Sequence, residues 1–143
     1  MAGDRQVCTF FLDDLFIGID TELVQEVIRY QEMTCVPLSP EAVKGLINLR
    51  GQIVTGIDLR RRFELGCRAN DQRPMNVVIR TADGAVSLLV DEIGDVLELP
   101  EDAYEPAPDN LDGVARELIM GAYKLEDRLL LILDTNQATK LDS

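Results

Sequence analysis

The sequence contains no histidine and no tryptophan. Without histidine, the chain cannot build a Ser-His-Asp or Cys-His catalytic site, a histidine-ligated metal site or a phosphohistidine. It also has neither the GxxxxGKS/T phosphate loop nor the GxGxxG turn, two glycine-rich motifs that hold nucleotides. These absences exclude large classes of catalytic chemistry, and we expect no cofactor and no metal.

Cysteine and long hydrophobic runs are also scarce. The three cysteines, Cys8, Cys35 and Cys67, are far apart and form no CxxC pair, so they lack the spacing of a zinc site or a dithiol. We expect free, mostly buried thiols in a reducing cytosol. No run approaches the roughly 18 apolar residues of a membrane span, and the N-terminus lacks a secretory signal. The sequence therefore predicts a cytoplasmic protein that does not insert into a membrane.

Basic residues are outnumbered, with 14 Lys and Arg against 26 Asp and Glu and a formal net charge of −12. Such a field repels phosphate backbones, so we expect no nucleic-acid partner. The charge is uneven: residues 44–80 hold eight bases and three acids (+5), whereas residues 83–117 hold one base and eleven acids (−10). This pattern suits either a solvated surface or a surface that steers two different partners.

The length of 143 residues and the 46% hydrophobic content indicate one globular domain. Its apolar runs are short, rich in Val, Ile, Leu and Phe, and bounded by turn-forming or charged residues, as is typical of strands. Compact polar turns between several runs predict antiparallel hairpins, and no sustained helical periodicity favours a Rossmann-like or flavodoxin-like sheet. The predicted strands are Val7–Leu12, Leu15–Ile19, Gln52–Ile57, Val77–Ile79, Ala85–Val90 and Leu129–Leu133, with turns at 13–14, 82–84 and 126–128.

Helix signals are brief. The run Ser39-Pro40-Glu41-Ala42 has a capping hydroxyl, a proline and a first-turn acid, and it predicts one or two helical turns that end at Gly45 or Gly51. Asp58 and Asp134 each follow a predicted strand and precede a short polar run. They predict the N-caps of two further short helices.

The sequence contains an internal repeat. Residues 45–58 align without a gap on residues 121–134, with glycine at both starts and aspartate at both ends. Upstream, residues 24–28 align on residues 93–97, and each segment is followed at the same offset by a proline. A feature order that occurs twice predicts two similar β units.

We expect each unit to resemble a small β-barrel, with approximate bounds of 7–63 and 76–138. A unit of about 65 residues buries only a thin core by itself. The two lobes should therefore pack together, with or without exchange of strands, into a single domain over residues 6–140. The predicted fold class is mainly β with short helices.

Paired carboxylates are the remaining catalytic candidates. Neighbours along a strand point to opposite faces, whereas glycosidase carboxylates face one bond from about 5–9 Å apart. The residues 109–113 likewise hold only a fragment of a calcium loop. We interpret all of these acids as turn or surface residues. The pairs are Asp13-Asp14, Asp91-Glu92 and Glu101-Asp102.

Two arginine features raise the question of binding. In the run Arg60-Arg61-Arg62-Phe63 we expect a core phenylalanine and surface arginines that face solvent or an acidic partner. Arg50 lies before Gly51, between the predicted short helix and a strand, where glycine can take a positive φ. One interpretation pairs Arg50 with an acid of its own chain, for instance Glu26. The other makes it an interface anchor, and both can hold at once.

On these residues the sequence resembles the CheW family, the bacterial chemotaxis coupling proteins, and the related regulatory domain of the chemotaxis histidine kinase. The resemblance covers nearly the whole chain and implies two five-stranded β-barrels around a shared core. Where members usually carry a proline before the Ile-Asp-Leu strand end, this chain has Gly56. The matching segments are 24–28, 36–37, 43–54 and 57–60 in the first half, and 89–97 and 129–134 in the second.

The resemblance implies a non-catalytic adaptor at receptor arrays. It would bind the cytoplasmic tip of methyl-accepting chemoreceptors in an apolar groove between the lobes, and the regulatory domain of the kinase through a second interface, so that receptor state controls autophosphorylation. It also implies possible self-association in rings. A paralogous adaptor that serves pili, development or another output is the alternative. The partner-binding positions carried over from the family are Val24, Glu26, Val27, Arg50, Gly51 and Ile93.

Two alternatives of other classes stay open. An enzyme would need a pocket with convergent ionisable groups of perturbed pKa. An oligonucleotide-binding barrel would need a basic, aromatic face, and the chain has only seven Phe and Tyr residues in all.

Overall fold

The computed structural model describes residues 4–35, 37, 42–65, 73–82, 84–109, 111 and 113–140. In these parts of the chain the fold is mainly β, as predicted. The strands are β1 (Asp4–Leu12), β2 (Leu15–Asp20), β3 (Val24–Ile28), β4 (Val43–Leu49), β5 (Gln52–Asp58), β6 (Met75–Thr81), β7 (Gly84–Val90), β8 (Glu92–Pro100), β9 (Ile119–Lys124) and β10 (Leu129–Leu133). The helices are α1 (Leu59–Arg62), α2 (Gly113–Leu118) and α3 (Thr135–Ala138), and 3₁₀ turns occupy Thr21–Leu23 and Glu101–Ala103.

The strands form two five-stranded sheets. Sheet 1 has the order β8-β1-β2-β10-β9, and sheet 2 has the order β3-β6-β7-β5-β4. Neighbours are antiparallel except for β2 with β10 and β5 with β7, which are parallel. The first hairpin of each half therefore pairs with strands of the other half, so the segments 7–63 and 76–138 exchange hairpins.

The internal repeat is visible in the backbone. Thr34 forms an isolated bridge with Leu46 of β4, and Glu105 forms the equivalent bridge with Ala122 of β9. When β1–β5 are matched with β6–β10, the two sheets have the same strand order, so a pseudo-twofold symmetry relates them. The chain crosses from sheet 1 to sheet 2 between β2 and β3, and it crosses back between β7 and β8.

The two sheets are open, which corrects the predicted barrels. Among the described residues, no ladder joins β3 to β4 or β8 to β9. The segments that follow β3 and β8 contribute one bridge each to the outer strands. They contain Pro37, Pro106 and Pro108, and proline has no N–H with which to extend a ladder.

The main core lies between the sheets. Both faces of the inner strands are covered, which explains why runs such as residues 77–79 and 130–133 are continuously apolar instead of alternating. A second cluster packs on the other face of sheet 1 around Tyr123. Fully buried members of the main core include Phe10, Leu12, Ile17, Ile19, Ile57, Ile79 and Leu88.

Two of the three helix predictions are confirmed. The side chain of Asp58 accepts a hydrogen bond from the Arg60 N–H, and that of Asp134 accepts from the N–H groups of Asn136 and Gln137. The third prediction is wrong from Val43 onward, because Val43–Leu49 is strand β4. The start of that predicted helix, at 39–41, lies outside the described residues.

Gly45 and Gly56 have packing roles that the sequence did not reveal. They face each other across β4 and β5. A Cβ at position 45 would lie 2.7 Å from the Thr34 carbonyl oxygen, and one at position 56 would lie 2.9 Å from the Met33 sulfur. Gly45 is therefore needed for close approach of the bridging segment and does not end a helix.

The cysteine prediction is only partly right. Cys8 and Cys35 are free thiols, as predicted. Cys35 is exposed and Cys8 is half-buried, so the prediction that the thiols are mostly buried is wrong for these two residues. Burial raises the pKa of the Cys8 thiol. Cys67 lies outside the described residues.

Candidate partner-binding site

Arg50 and Gly51 form the two-residue turn between β4 and β5. Both have positive φ angles, 52° and 85°, which is the geometry of a type I′ hairpin turn. The Gly51 N–H donates to the Asn48 side-chain oxygen at 3.0 Å. The prediction that Arg50 follows a helix is wrong, but its position on a tight turn beside a positive-φ glycine is confirmed.

Arg50 is paired with Glu26 of β3. Its Nη1 donates to Oε2 at 2.7 Å, and its Nη2 donates to Oε1 at 2.5 Å, so the contact is bidentate. The hydrogen bond from Arg50 lowers the pKa of Glu26, and the bond to Glu26 raises the pKa of Arg50. The Arg50 side chain is 72% exposed and that of Glu26 is 17% exposed. The pair holds the guanidinium in one orientation while most of the Arg50 side chain stays exposed to solvent.

The apolar candidates occupy two different settings. Val27 of β3 is exposed, next in sequence to Glu26. Val24 of β3 and Ile93 of β8 are half-buried and both pack against the main core. They are equivalent residues of the repeat, and each lies where the chain has just crossed between sheets. The structure thus joins Glu26 to Arg50 directly and relates Val24 to Ile93 through the shared core.

Sequence reasoning named Val27 but missed other exposed apolar side chains, among them Ile53, Val96 and Leu129. Ile53 and Leu129 occupy equivalent positions of the repeat and are 60% and 37% exposed. Val27 and Val96 form a second equivalent pair, at 39% and 56% exposed. The aligned halves of the sequence already held this signal, because apolar residues occur at matching positions of both halves.

The halves differ at the positions of the ion pair. In the repeat, Glu26 corresponds to Asp95 and Arg50 corresponds to Glu126. Two carboxylates cannot form the bidentate contact, so the second half has no counterpart of the Arg50–Glu26 pair at these positions. The exposed, fixed guanidinium is a feature of one lobe.

The arginine run after β5 is structural, which corrects the prediction of surface arginines. Arg60 donates to the carboxylate of Asp91, and Arg62 donates to the carbonyl oxygens of Gln137 and Ala138 at the end of α3. Only Arg61 of the three is exposed. Phe63 is buried in the main core, as predicted.

The paired carboxylates form no metal site among the residues that the structure describes. Asp91 is only 12% exposed and is used in the ion pair with Arg60, which corrects its interpretation as a surface acid. Within the described ranges, no helix has the length and apolar character needed to cross a membrane.

A family model described as the CheW-like domain matches residues 6–142. The chain belongs to the CheW-like family. It is 34% identical over 137 residues to the chemotaxis protein CheW of Klebsiella aerogenes, covering 94% of this chain and 82% of that protein. It is 30% identical to the chemotaxis protein CheW of Bacillus subtilis, covering 99% and 90%. Members of this family are chemotaxis adaptors and not enzymes, and this CheW-like chain is one of them.

The fold agrees with a solved CheW structure. The scaffolding protein TtCheW from Thermoanaerobacter tengcongensis superposes with a TM-score of 0.82 at 28% sequence identity, covering 91% of this chain and 88% of that chain. The chain is also 25% identical over 116 residues to the protein FrzA of Myxococcus xanthus, covering 81% of this chain and 72% of that protein. The chain is therefore similar to relatives that carry more than one name.

Proposed function

We propose that this CheW-like adaptor couples methyl-accepting chemoreceptors to the chemotaxis histidine kinase, in the cytoplasm at receptor arrays. The observation that carries the proposal is the Arg50–Glu26 pair. An arginine whose guanidinium is held by two hydrogen bonds and whose side chain is still 72% exposed is preorganised for a second, intermolecular contact. Arginine is enriched among residues whose truncation weakens protein interfaces most.

The receptor's helical tip docks against apolar side chains of Val24, Val27 and Ile93. A helical hairpin binds a groove through a few apolar anchors, and surrounding polar groups fix its orientation. Val27 is the exposed member of this set, whereas Val24 and Ile93 present only part of their surface because they also pack on the core. Glu26 and Val27 are neighbours on β3 and point to opposite faces, so the Arg50–Glu26 pair supplies a separate polar contact for the partner. Gly51 lets the turn approach a partner closely.

The kinase's regulatory domain contacts a second surface, centred on exposed Ile53 near the β4–β5 turn. An isolated exposed aliphatic side chain is ordinary, but here it adjoins the fixed Arg50 and has an exposed counterpart, Leu129, in the other half. Residues 44–80 carry a net positive charge and residues 83–117 a net negative charge. In a head-to-tail contact between two copies, the first segment of one copy would attract the second segment of the next. Head-to-tail contacts close into rings when the rotation allows, so we include ring self-association in the proposal.

A paralogous output is the second candidate. The similarity to FrzA favours it, because an adaptor of the same fold can serve another chemosensory system. The two candidates share the adaptor mechanism and differ in the partners.

Reconstitution tests the proposal. Vesicles that carry receptor are mixed with purified kinase and labelled ATP, with and without the chain, and kinase autophosphorylation is measured. We expect activation by the wild-type chain, loss of activation with Arg50→Glu, and full activation with Arg116→Glu, which makes the same charge change at an exposed arginine of α2. Full activation by Arg50→Glu would remove Arg50 from the coupling surface.

A further inference from the structure

The return of the chain from sheet 2 to sheet 1 is fixed at Asp91. This residue lies between β7 and β8, and its N–H donates to the Phe11 carbonyl oxygen at 3.0 Å. Its Oδ2 accepts the Asp13 N–H at 2.7 Å. The crossing is therefore attached to sheet 1 through two backbone groups, one near the end of β1 and one in the β1–β2 turn.

Arg60 attaches the same crossing to sheet 2. It lies on α1, directly after β5, and its Nε and Nη2 donate to the two Asp91 carboxylate oxygens at 2.9 and 2.7 Å. Its Nη2 also lies 3.7 Å from an Asp13 carboxylate oxygen. The side chains of Arg60 and Asp91 are each only 12% exposed. One guanidinium thus connects α1 beside sheet 2, the crossing, and a turn of sheet 1.

Such a contact constrains geometry more than an ordinary surface ion pair does. A planar guanidinium on a carboxylate fixes both distance and orientation. Salt screens a pair of low exposure weakly, and removing one partner leaves the other charge uncompensated. The hydrogen bond to Asp91 raises the pKa of Arg60, so the cation persists at all relevant pH values.

The other crossing has no counterpart of this ion pair at the equivalent positions. In the repeat, Asp91 corresponds to Glu22 and Arg60 corresponds to Asn136, which carries no charge. There, Arg80 donates to the backbone carbonyl oxygens of Glu22 and Val24, at 3.2 and 3.3 Å. The crossing into β3 does begin at a bidentate pair, Arg5 with Asp20, but both residues lie on strands β1 and β2 of sheet 1, so this pair reaches no element of sheet 2.

We propose that Arg60 is a positioning residue for partner binding: by locking Asp91 to α1, it fixes the relative placement of the two sheets and so the placement of Ile93. Ile93 lies two residues beyond Asp91, on sheet 1, whereas Val24 and Val27 lie on sheet 2. The inference rests on the proposed docking of the receptor tip between the lobes. Loss of the lock populates sheet arrangements that do not bind.

Two measurements test the role of Arg60 in the full chain. Spin labels on unnatural amino acids at exposed positions 52 of β5 and 98 of β8 report the distribution of distances between the sheets. Binding to receptor-bearing vesicles reports affinity for the receptor. The variants are Arg60→Gln and Asp91→Asn, with Arg116→Gln as the matched control.

We expect Arg60→Gln to broaden the distance distribution and to weaken receptor binding about tenfold, as when the competent fraction falls to about a tenth. Asp91→Asn combined with Arg60→Gln should add little further loss, because both changes break the Arg60–Asp91 contact and an asparagine amide oxygen can still accept the Asp13 N–H. A distribution as narrow as that of Arg116→Gln, with affinity within about twofold of wild type, would overturn the inference. If Arg60→Gln does not fold, Arg60→Lys is read by the same two criteria.

Failure of the proposed function gives a different result. If the wild-type chain does not bind receptor vesicles, the docking proposal fails, and the distance distribution alone decides whether Arg60 fixes the sheets. If Arg50→Glu abolishes binding with an unchanged distribution, and Arg60→Gln changes neither measurement, the docking proposal stands and the role of Arg60 is refuted.

Discussion

Arg50 and Glu26 join opposite edges of sheet 2 through two hydrogen bonds of 2.7 and 2.5 Å. Glu26 lies on edge strand β3, and Arg50 lies in the turn at the end of edge strand β4. Because no ladder closes this sheet among the described residues, the ion pair connects the two edges where a barrel would have its seam. The same contact holds an exposed cation in place, so one pair connects the edges of the sheet and carries the cation that we propose a partner recognises.

The pair should make a pH-dependent contribution to stability. Arg50 holds the pKa of Glu26 below its ordinary value of 4.5, so the stabilisation is present above that value and is lost as pH falls through the lower, folded-state pKa. We expect the unfolding free energy of Glu26→Gln to be lower than that of wild type at pH 7. In acid, the two unfolding free energies should become equal. Urea denaturation across this pH range measures the difference. A constant difference at all pH values would contradict the assignment. The difference in unfolding free energy should be small because solvent screens this exposed ion pair.

The shared core between the sheets should dominate stability. Leu88 is fully buried in it, so Leu88→Ala should lower the unfolding free energy by about 2–5 kcal/mol. Leu129→Ala removes the same side chain from a 37% exposed site and should cost less than about 1 kcal/mol. Denaturant unfolding of both variants checks the ratio. Equal losses would mean that Leu88 does not lie in the principal core.

Gly45 and Gly56 should tolerate substitution differently. At Gly45 a new methyl group meets backbone, the Thr34 carbonyl, whereas at Gly56 it meets the end of the flexible Met33 side chain. We expect Gly45→Ala to destabilise the fold by about 1–3 kcal/mol, as overpacking does, and Gly56→Ala to cost less. Thermal unfolding of the two variants decides the order. A more harmful Gly56→Ala would indicate that Met33 is rigid.

The cap of α3 should make a modest contribution. The Asp134 carboxylate accepts hydrogen bonds from Asn136 and Gln137 N–H at 3.1 and 3.3 Å. Asp134→Ala should lower stability by about 1 kcal/mol, and Asp134→Asn should retain most of it. Denaturant midpoints of the two variants test this; identical midpoints would argue against a capping role.

Local features were predictable from the sequence. The hairpin turns at 13–14 and 126–128 and the caps at Asp58 and Asp134 depend on residues within a few positions of one another. The prediction of a helix before Gly45 was wrong because the sequence does not distinguish a glycine needed for close packing from a glycine that ends a helix. The prediction that Cys35 is buried was wrong because the exposure of a side chain depends on tertiary packing.

Long-range features were harder to predict. The repeat indicated two lobes, but its alignment is the same whether or not hairpins are exchanged, so the strand order of each sheet required the structure. The Arg50–Glu26 pair was one of two open interpretations. The Arg60–Asp91 contact was missed because its residues lie 31 positions apart and Arg60 stands in a run that resembles a surface patch.

The measurement that tests the central claim most directly is kinase activation by the charge-swapped double variant Arg50→Glu with Glu26→Arg, in the reconstituted receptor and kinase assay. The swap restores an ion pair across the edges of sheet 2 and removes the cation from the β4–β5 turn. We expect the swapped chain to fold with a thermal midpoint near that of wild type and to fail to activate the kinase. Full activation by the swapped chain would contradict the account, because it would show that the pair matters only within the molecule and that no partner recognises Arg50.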